Sequence, residues 1–289
     1  MAQKDLAEKQ LIAHADTFNS TVFKGKLVLD ASKLVDTKTE SQLPDLTDDL
    51  HSQMRDLAKS YQDGEAKLAI FGIENQTKID KMMAAKIMCY NTAAILDQLK
   101  SNAKSLYPVL TIVLYFGKEP WRSTKQLRDL FDLSKIPIPK EYLPQLKIFV
   151  VEVAFLKEKE IAMMKSDFKY VTEMMVKIRE NKDYQPTEIQ LKHHKEFLRL
   201  MDALDRDRLR NFVEFMADSD KKKGQEMKGY LDEIEDKAMA KGISQGIAQG
   251  LARGKAEGKI IGAVGALLTM NLDSLAIKAK IKQSYPDLD

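Results

Sequence analysis

Ile70-Phe71-Gly72-Ile73-Glu74-Asn75-Gln76 is the stretch of sequence that decides the fold. Its apolar half predicts a buried strand, which leads directly into a carboxylate followed by two amides. A second carboxylate, Asp56, lies upstream, and the polar turn Gln62-Asp63-Gly64-Glu65 separates the two. Carboxylates on neighbouring strands commonly hold a divalent cation against a phosphodiester, because hard cations prefer oxygen ligands. The stretch therefore predicts a metal site shared by two adjacent strands.

The pattern around this stretch predicts an α/β fold with a mixed sheet. Asp63-Gly64 is a strong hairpin signal, and residues 27–50 are polar and irregular in pattern. The other segments follow the order helix, hairpin, helix, strand, strand. They are predicted as a helix over residues 3–23, hairpin strands over 55–61 and 67–73, a helix over 78–100, and strands over 107–115 and 146–155.

The hairpin poses a geometric problem for the predicted site. With a simple two-residue turn, Asp56 lies opposite Phe71. Because side chains alternate between the two faces of a sheet, Glu74 would then point away from Asp56. A shared site requires a one-residue bulge, a longer turn or a kink at Gly72. We therefore expect an irregularity between residues 62 and 74.

The second half of the chain is predicted to be helical. Residues 157–236 are charged and methionine-rich, with Pro186 as a break. Short helices are predicted over 260–270 and 274–283, around the turn Asn271-Leu272-Asp273, and they resemble the first half of a helix-turn-helix. The predicted domains are residues 1–155, a helical region over 156–236 and a tail over 237–289.

A glycine recurs every four residues in the tail. The positions are Gly242, Gly246, Gly250, Gly254, Gly258 and Gly262. Each interior glycine costs a helix roughly 0.5–1 kcal/mol relative to alanine. Close approach of a second helix would offset that cost, and we expect a homo-oligomer formed through the C-terminal helices. A frayed linker is the alternative.

Composition limits the class of protein. Residues 237–289 carry eight Lys or Arg against four Asp or Glu, which leaves −1 for the remainder of a chain whose net charge is +3. A basic tail fits an anionic partner such as nucleic acid, and a solvated helix surface is the alternative. The single cysteine, the polar segment over residues 1–9 and the lack of a long apolar run predict a cytoplasmic protein with no signal peptide and no membrane partner.

Several pieces together resemble the recombination-promoting nuclease (Rpn) family, also labelled putative transposases, within the PD-(D/E)XK nuclease superfamily. The resemblance covers roughly residues 12–155 and 237–265. The matching pieces are His14-Ala15-Asp16-Thr17-Phe18-Asn19, Phe23-Lys24-Gly25-Lys26, Arg55-Asp56, Gly72-Ile73-Glu74-Asn75-Gln76-Thr77, Met88-Cys89-Tyr90, Val113-Leu114-Tyr115-Phe116-Gly117 with Pro120-Trp121, and Leu130-Phe131-Asp132.

The resemblance implies a restriction-endonuclease-like core and a set of site residues. Asp56 and Glu74 would bind Mg²⁺ or Mn²⁺, with the backbone carbonyl of Asn75 as a further ligand. Gln76 stands where the superfamily usually has lysine, and it could orient the attacking water. Lys86, on the following helix, could supply the missing positive charge.

Asp16 on the first helix corresponds to a recurrent family acid and is the weakest candidate ligand. Local alternatives exist for the two main acids. Asp56 could be a surface charge paired with a neighbouring cation, and Glu74 could be an acid favoured by the N-terminal dipole of the helix that follows it.

The resemblance implies a divalent-metal-dependent DNA endonuclease that acts in recombination, in mobile elements or in defence. A protein of a different class is the alternative: a catalytically inactive DNA-binding or assembly protein that retains the nuclease fold. The two acids favour the enzyme. The Gln76 exchange and the face problem of the hairpin favour the inactive protein.

Overall fold

The computed structural model describes residues 2–37, 40–41, 53–54, 56–101, 105–186, 189–269 and 274–284. They divide into two compact units, residues 1–224 and 225–289. The first unit holds the sheet, and the second is helical. The sequence-based boundaries after residues 155 and 236 stay predictions.

The strands that the structure describes build one five-stranded sheet and one small two-stranded ladder. In chain order they are β1 (Leu34–Asp36), β2 (Glu40–Ser41), β3 (Gln53–Met54), β4 (Leu57–Asp63), β5 (Ala66–Gln76), β6 (Val109–Tyr115) and β7 (Phe149–Glu152). The large sheet has the order β1-β4-β5-β6-β7, and the ladder pairs β2 with β3. Strands β1, β4 and β5 are antiparallel neighbours, whereas β5, β6 and β7 are parallel. The predicted mixed sheet is confirmed.

The helices are α1 (Ala2–Thr21), α2 (Met83–Lys100), α3 (Glu158–Ile161), α4 (Phe168–Arg179), α5 (His194–Ser219), α6 (Lys221–Thr269) and α7 (Ser274–Ser284). Among the described residues, each helix is too short or too polar to cross a bilayer. The break in the helical pattern that was predicted at Pro186 lies between α4 and α5.

Helices cover the two faces of the sheet differently. On one face, α1 packs against β5: the Phe18 and Phe71 ring centroids are 4.9 Å apart, and His14 Nε2 lies 3.1 Å from the Phe71 carbonyl oxygen. On the other face, α2 packs Ile87 and Tyr90 into a core that includes Val113 of β6. The strands between the helices are therefore apolar on both sides, as buried parallel strands are.

The irregularity predicted for the hairpin is present in β5. Tyr61 pairs with Ala69 and Gln62 pairs with Lys67, so Leu68 has no residue opposite it. Leu68 is a one-residue bulge, which reverses the face of every residue beyond it. The prediction of an irregularity between residues 62 and 74 is confirmed.

The predicted position of the turn is wrong by one residue. Asp63 pairs with Ala66, so Gly64 and Glu65 form the turn, and Gly64 takes the left-handed φ of +61°. Glycine accepts this conformation without the clash that a Cβ would cause. Moving the turn by one residue shifts the cross-strand pairing by two residues, so each side chain stays on the face predicted for it. The bulge alone therefore brings Asp56 and Glu74 to the same face.

Other boundaries differ from the prediction in ways that have physical causes. Residues 27–50, predicted to be irregular, contain β1, whose Asp36 stands opposite Lys59 on β4 and pairs with its ammonium group. Helix α2 begins at Met83 rather than near residue 78, because Asp80 accepts a hydrogen bond from the Met82 amide and forms a turn before it.

The last two predicted strands are shorter than expected. Strand β6 begins at Val109 instead of residue 107, since Pro108 has no amide hydrogen to donate to a neighbouring strand. Strand β7 covers only Phe149–Glu152 of the predicted 146–155, and a 3-10 turn over Val153–Phe155 ends it. Both corrections concern strand ends and leave the order of elements unchanged.

The predicted helix over 260–270 is not separate. It is the end of α6, one helix of 49 residues that also contains the six repeated glycines. The turn predicted at 271–273 lies outside the described residues. A Cβ built on any of the six glycines would meet no described atom within 4 Å, so the described part of the chain supplies no close helix partner for them.

We predict that His14 makes the fold sensitive to mild acid. Burial, with the charge of Lys59 second, lowers the pKa of His14 to about 4 from 6.5. The unfolded chain therefore binds a proton below pH 6.5 that the folded protein refuses until about pH 4. The free energy of unfolding should fall by about 3 kcal/mol as the pH falls across that window.

Denaturant titrations between pH 4 and 7 measure this effect, with His14→Gln as the comparison. The variant keeps a side-chain donor but cannot titrate, so the difference between the two proteins should shrink as the pH falls. A difference that is constant with pH would contradict the assignment.

Candidate active site

Asp56 and Glu74 meet at one end of the hairpin. Leu57, the first residue of β4, pairs with Ile73 of β5. Asp56, which directly precedes β4, therefore stands opposite Glu74. Residues that stand directly opposite in a ladder share a face, and for Glu74 this is the face that α2 covers. The two predicted acids therefore come together, which the bulge at Leu68 makes possible.

The Asp56 carboxylate is also fixed to the backbone of β5. Its Oδ2 accepts a hydrogen bond of 2.8 Å from the Asn75 amide. This contact shows which way the Asn75 peptide points. In a strand, the N–H and C=O of one residue point toward the same neighbour, so the Asn75 carbonyl is directed to the Asp56 side. The position fits the further ligand that the family resemblance implies.

Glu74 is a buried acid, with 6% of its surface exposed. Its Oε1 accepts a 3.1 Å hydrogen bond from Gln76 Nε2. Its Oε2 is buried and accepts no hydrogen bond from any described residue. Leaving a buried polar atom without a partner is costly. An oxygen in this state, beside a second carboxylate, fits a cation ligand.

The surroundings of Glu74 favour a proton when no cation is bound. Burial is the largest cause and the charge of Asp56 the second, and together they raise the pKa of Glu74 to about 7 from 4.5. The Gln76 hydrogen bond, the charge of Lys86 and the nearby backbone amide of Asp56 oppose this rise. A raised pKa with a specific charge partner is typical of functional sites.

Lys86 lies close enough for its charge to lower the pKa of Glu74. Its nearest ionic partner is Asp80, at 2.7 Å. Asp80 also accepts a 2.8 Å hydrogen bond from the Met82 amide just before α2. Asp80 therefore ties the ammonium group to the start of the helix. Asp80 is absent from the predicted site residues, although an aspartate just before a helix is a recognised signal.

Asp16 has a different environment from the other acids. Its two oxygens accept hydrogen bonds of 2.7–3.0 Å from the backbone amides of Lys165 and Ser166. These amides precede α4, so the carboxylate connects α1 to the helices that follow the sheet. Asp16 therefore serves these backbone donors, and among the described contacts none joins it to Asp56 or Glu74.

The strand ends beside Glu74 are closed by an aromatic pair. Tyr115 ends β6 and stands in register with Gln76. Its ring packs edge-on against Trp121 at 5.2 Å. Trp121 is buried and belongs to the core that α2 covers.

The ligands available for a cation are few. Among the described residues, no group of three or more His, Cys, Asp or Glu side chains is arranged to hold a metal ion. The site offers two carboxylates and one backbone carbonyl. Water and a phosphate oxygen would have to complete the coordination of Mg²⁺, which usually keeps several waters in protein sites.

One comparison with known proteins gives a match. The model of the family described as "Putative transposase, YhgA-like" matches residues 5–206. This span includes the sheet, both predicted acids, Gln76 and Lys86. No curated protein and no solved structure matches the chain.

We predict that the Glu74 carboxyl titrates near pH 7 in the metal-free protein. In Asp56→Asn the pKa should fall, because a repelling charge is removed, but it should stay above 4.5, because burial remains. Carbon-13 NMR of glutamate side chains in the two proteins measures both values. An ordinary glutamate pKa in the unmodified protein would contradict the described burial.

We also predict that Asp16 acts on stability. Asp16→Ala leaves two amides without their charged acceptor, and a hydrogen bond to a charged group contributes about 1.5–3 kcal/mol. The free energy of unfolding should fall by about 3 kcal/mol or more, and Mn²⁺ affinity of the folded variant should not change. Weaker Mn²⁺ binding without lost stability would instead make Asp16 a ligand.

Proposed function

Since the chain belongs to the family of YhgA-like putative transposases, we propose that it is a divalent-metal-dependent DNA endonuclease. The family description indicates a role related to transposition or recombination. The finer assignment, hydrolysis of phosphodiester bonds in DNA, is supported by one observation above all. Glu74 carries a buried carboxylate oxygen without a hydrogen-bond partner among the described residues, directly beside Asp56.

Mg²⁺ or Mn²⁺ would be held by the carboxylates of Asp56 and Glu74 and by the Asn75 carbonyl. When bound, such an ion lowers the pKa of a coordinated water and neutralises charge on the phosphate. The protein's own contribution begins with Glu74, which must lose its proton to act as a ligand. Its pKa of about 7 makes that loss easy at neutral pH and unfavourable in acid.

Gln76 has a limited role that follows from its chemistry. An amide neither accepts a proton as a base nor carries charge. Its Nε2 donates a hydrogen bond to Glu74 Oε1. This bond orients the carboxylate and leaves Oε2 available to a cation. The amide oxygen remains available to accept a hydrogen bond from a water. Gln76 is thus proposed to orient the nucleophile while Lys86 supplies the positive charge.

The second candidate is a catalytically inactive DNA-binding or assembly protein with the same fold. Two observations favour it. Position 76 is glutamine where the superfamily usually has lysine, and the ammonium of Lys86 is held by Asp80 at 2.7 Å. If Lys86 cannot leave Asp80, the site lacks a cation to stabilise the charge that develops on the phosphate.

Assembly through the C-terminal helices remains part of the proposal. Helix α6 places large apolar side chains in water beside its glycines: Ile243, Ile247 and Leu251 are 56–67% exposed. A second copy of the chain would cover them. The cytoplasmic location also stays a prediction.

We expect the protein to relax supercoiled plasmid with Mg²⁺ or Mn²⁺ and to leave it intact in EDTA. Asp56→Asn and Glu74→Gln should each weaken Mn²⁺ binding by more than about 100-fold, since even an outer partner of a metal ligand contributes about 10–100-fold. The matched control is Glu65→Gln, which removes an exposed acid at the other end of the same hairpin. Cutting in EDTA would contradict both candidates.

Lys86→Ala separates the roles within the site. If Lys86 stabilises charge in the transition state, turnover should fall by about 100-fold or more, with little effect on folding. Unchanged turnover would remove Lys86 from the mechanism. Metal binding without any cutting, in the unmodified protein, would select the inactive candidate.

A further inference from the structure

The parallel strands bring two loops to the edge that holds Glu74. Strands β5, β6 and β7 run in the same direction, so their carboxyl ends meet at one edge of the sheet. The loop over residues 77–82 follows β5, and the segment over 116–126 follows β6. In open α/β sheets, ligands bind in the crevice outside these carboxyl ends.

The two loops carry exposed positive charge. Lys78 and Lys81 are exposed on the first loop, and neither forms an ion pair with a described residue. On the second, the side chains of Lys118 and Arg122 are 57% and 77% exposed. We call these four residues the cationic rim.

The rim cations that have partners stay accessible to water. Arg122 lies 3.9 Å from Glu119, and both side chains are more than three-quarters exposed. Exposed pairs of this kind contribute little stability. Lys118 contacts Asp205 at 2.8 Å, with its own side chain mostly in water. A phosphate group can therefore compete for these cations.

The second loop is held in place over the strand ends. Glu152, at the end of β7, accepts a 2.8 Å hydrogen bond from the Trp121 amide and a 3.1 Å one from Lys125 Nζ. Gly117 lets the chain pass against Tyr115, because a Cβ there would overlap the tyrosine ring. A loop whose backbone is held in this way loses less conformational freedom when its charges bind a partner.

Helix α2 adds to the positive electrostatic potential at the same edge of the sheet. It begins at Met83, directly after the first loop, and runs back along the sheet toward the entry of β6, where Gln98 contacts the backbone of Tyr107. Its N-terminus therefore lies at the Glu74 edge. The N-terminal end of a helix attracts anions.

We propose that the cationic rim binds the phosphodiester backbone of duplex DNA and places it across Asp56 and Glu74. The proposal rests on the proposed function for the choice of DNA. The site acids alone would repel a polyanion, and the rim supplies the compensating charge from two loops that flank them. The family match does not assign Lys78, Lys81, Lys118 or Arg122 to a partner.

The test is the salt dependence of DNA binding by the full chain in EDTA, where cutting is suppressed. The rim variant is Lys78→Gln, Lys81→Gln and Arg122→Gln together; Lys118 stays, because Asp205 also caps part of α5. The control is Lys67→Gln, Lys100→Gln and Lys147→Gln, which removes three exposed lysines from the opposite edge. Both variants change the net charge equally.

Each lost phosphate contact reduces the slope of log K against log salt by about 0.9 for duplex DNA. The rim variant should therefore have a slope that is shallower by about 2–3, and the control should keep the slope of the unmodified protein. Circular dichroism and thermal melting check that both variants fold. An unchanged slope in the folded rim variant, or an equal loss in the control, would overturn the proposal.

Two further outcomes separate this inference from the proposed function. If the unmodified protein never cuts plasmid but the rim variant alone loses slope, the rim stands and the endonuclease fails. If the protein cuts and the rim variant binds and cuts normally, the rim fails and the endonuclease stands. Rim-dependent binding of single-stranded RNA without duplex DNA binding would overturn the choice of DNA.

Discussion

The face-to-face pairing of two carboxylates across β4 and β5 is the constraint on which the site depends. Two like charges at the edge of a sheet repel each other, and burial adds a penalty for a carboxylate that is covered. The structure accommodates them by leaving Asp56 exposed and anchored to the Asn75 amide, while Glu74 is buried with a raised pKa. The pair is thus asymmetric, with Asp56 exposed and Glu74 buried and ready to hold a proton.

The rest of the first unit supports this arrangement from the two faces of the sheet. Helix α1 fixes β5 through Phe18 and His14, and Asp16 on the same helix satisfies the amides that precede α4. Helix α2 brings Lys86 toward Glu74, with Asp80 at its start. Helix α1 therefore stabilises the sheet from one face, and α2 places Lys86 near Glu74 on the other face.

Much of this arrangement was predictable from sequence, because alternation along strands is a strict rule. The bulge followed from the requirement that Asp56 and Glu74 share a face, although the exact residue, Leu68, did not. The turn was misplaced because Asp-Gly and Gly-Glu are both acceptable at this position. Strand β1 was missed because it forms by pairing with β4, where Asp36 stands opposite Lys59. Such a long-range contact leaves no local pattern in the sequence. The roles of Asp16 and Asp80 likewise depend on partners that only the folded chain brings near.

The bulge at Leu68 makes the site depend on chain length as much as on chain chemistry. A single-residue insertion between Ala69 and Ile73 would preserve both acids in any alignment, yet it would turn one of them toward α1 unless a second bulge absorbed the change. Length variation in this hairpin would thus separate the two acids without replacing either of them. Counting residues from the turn to the glutamate therefore indicates whether a related sequence can bring the acids together, which their presence alone does not.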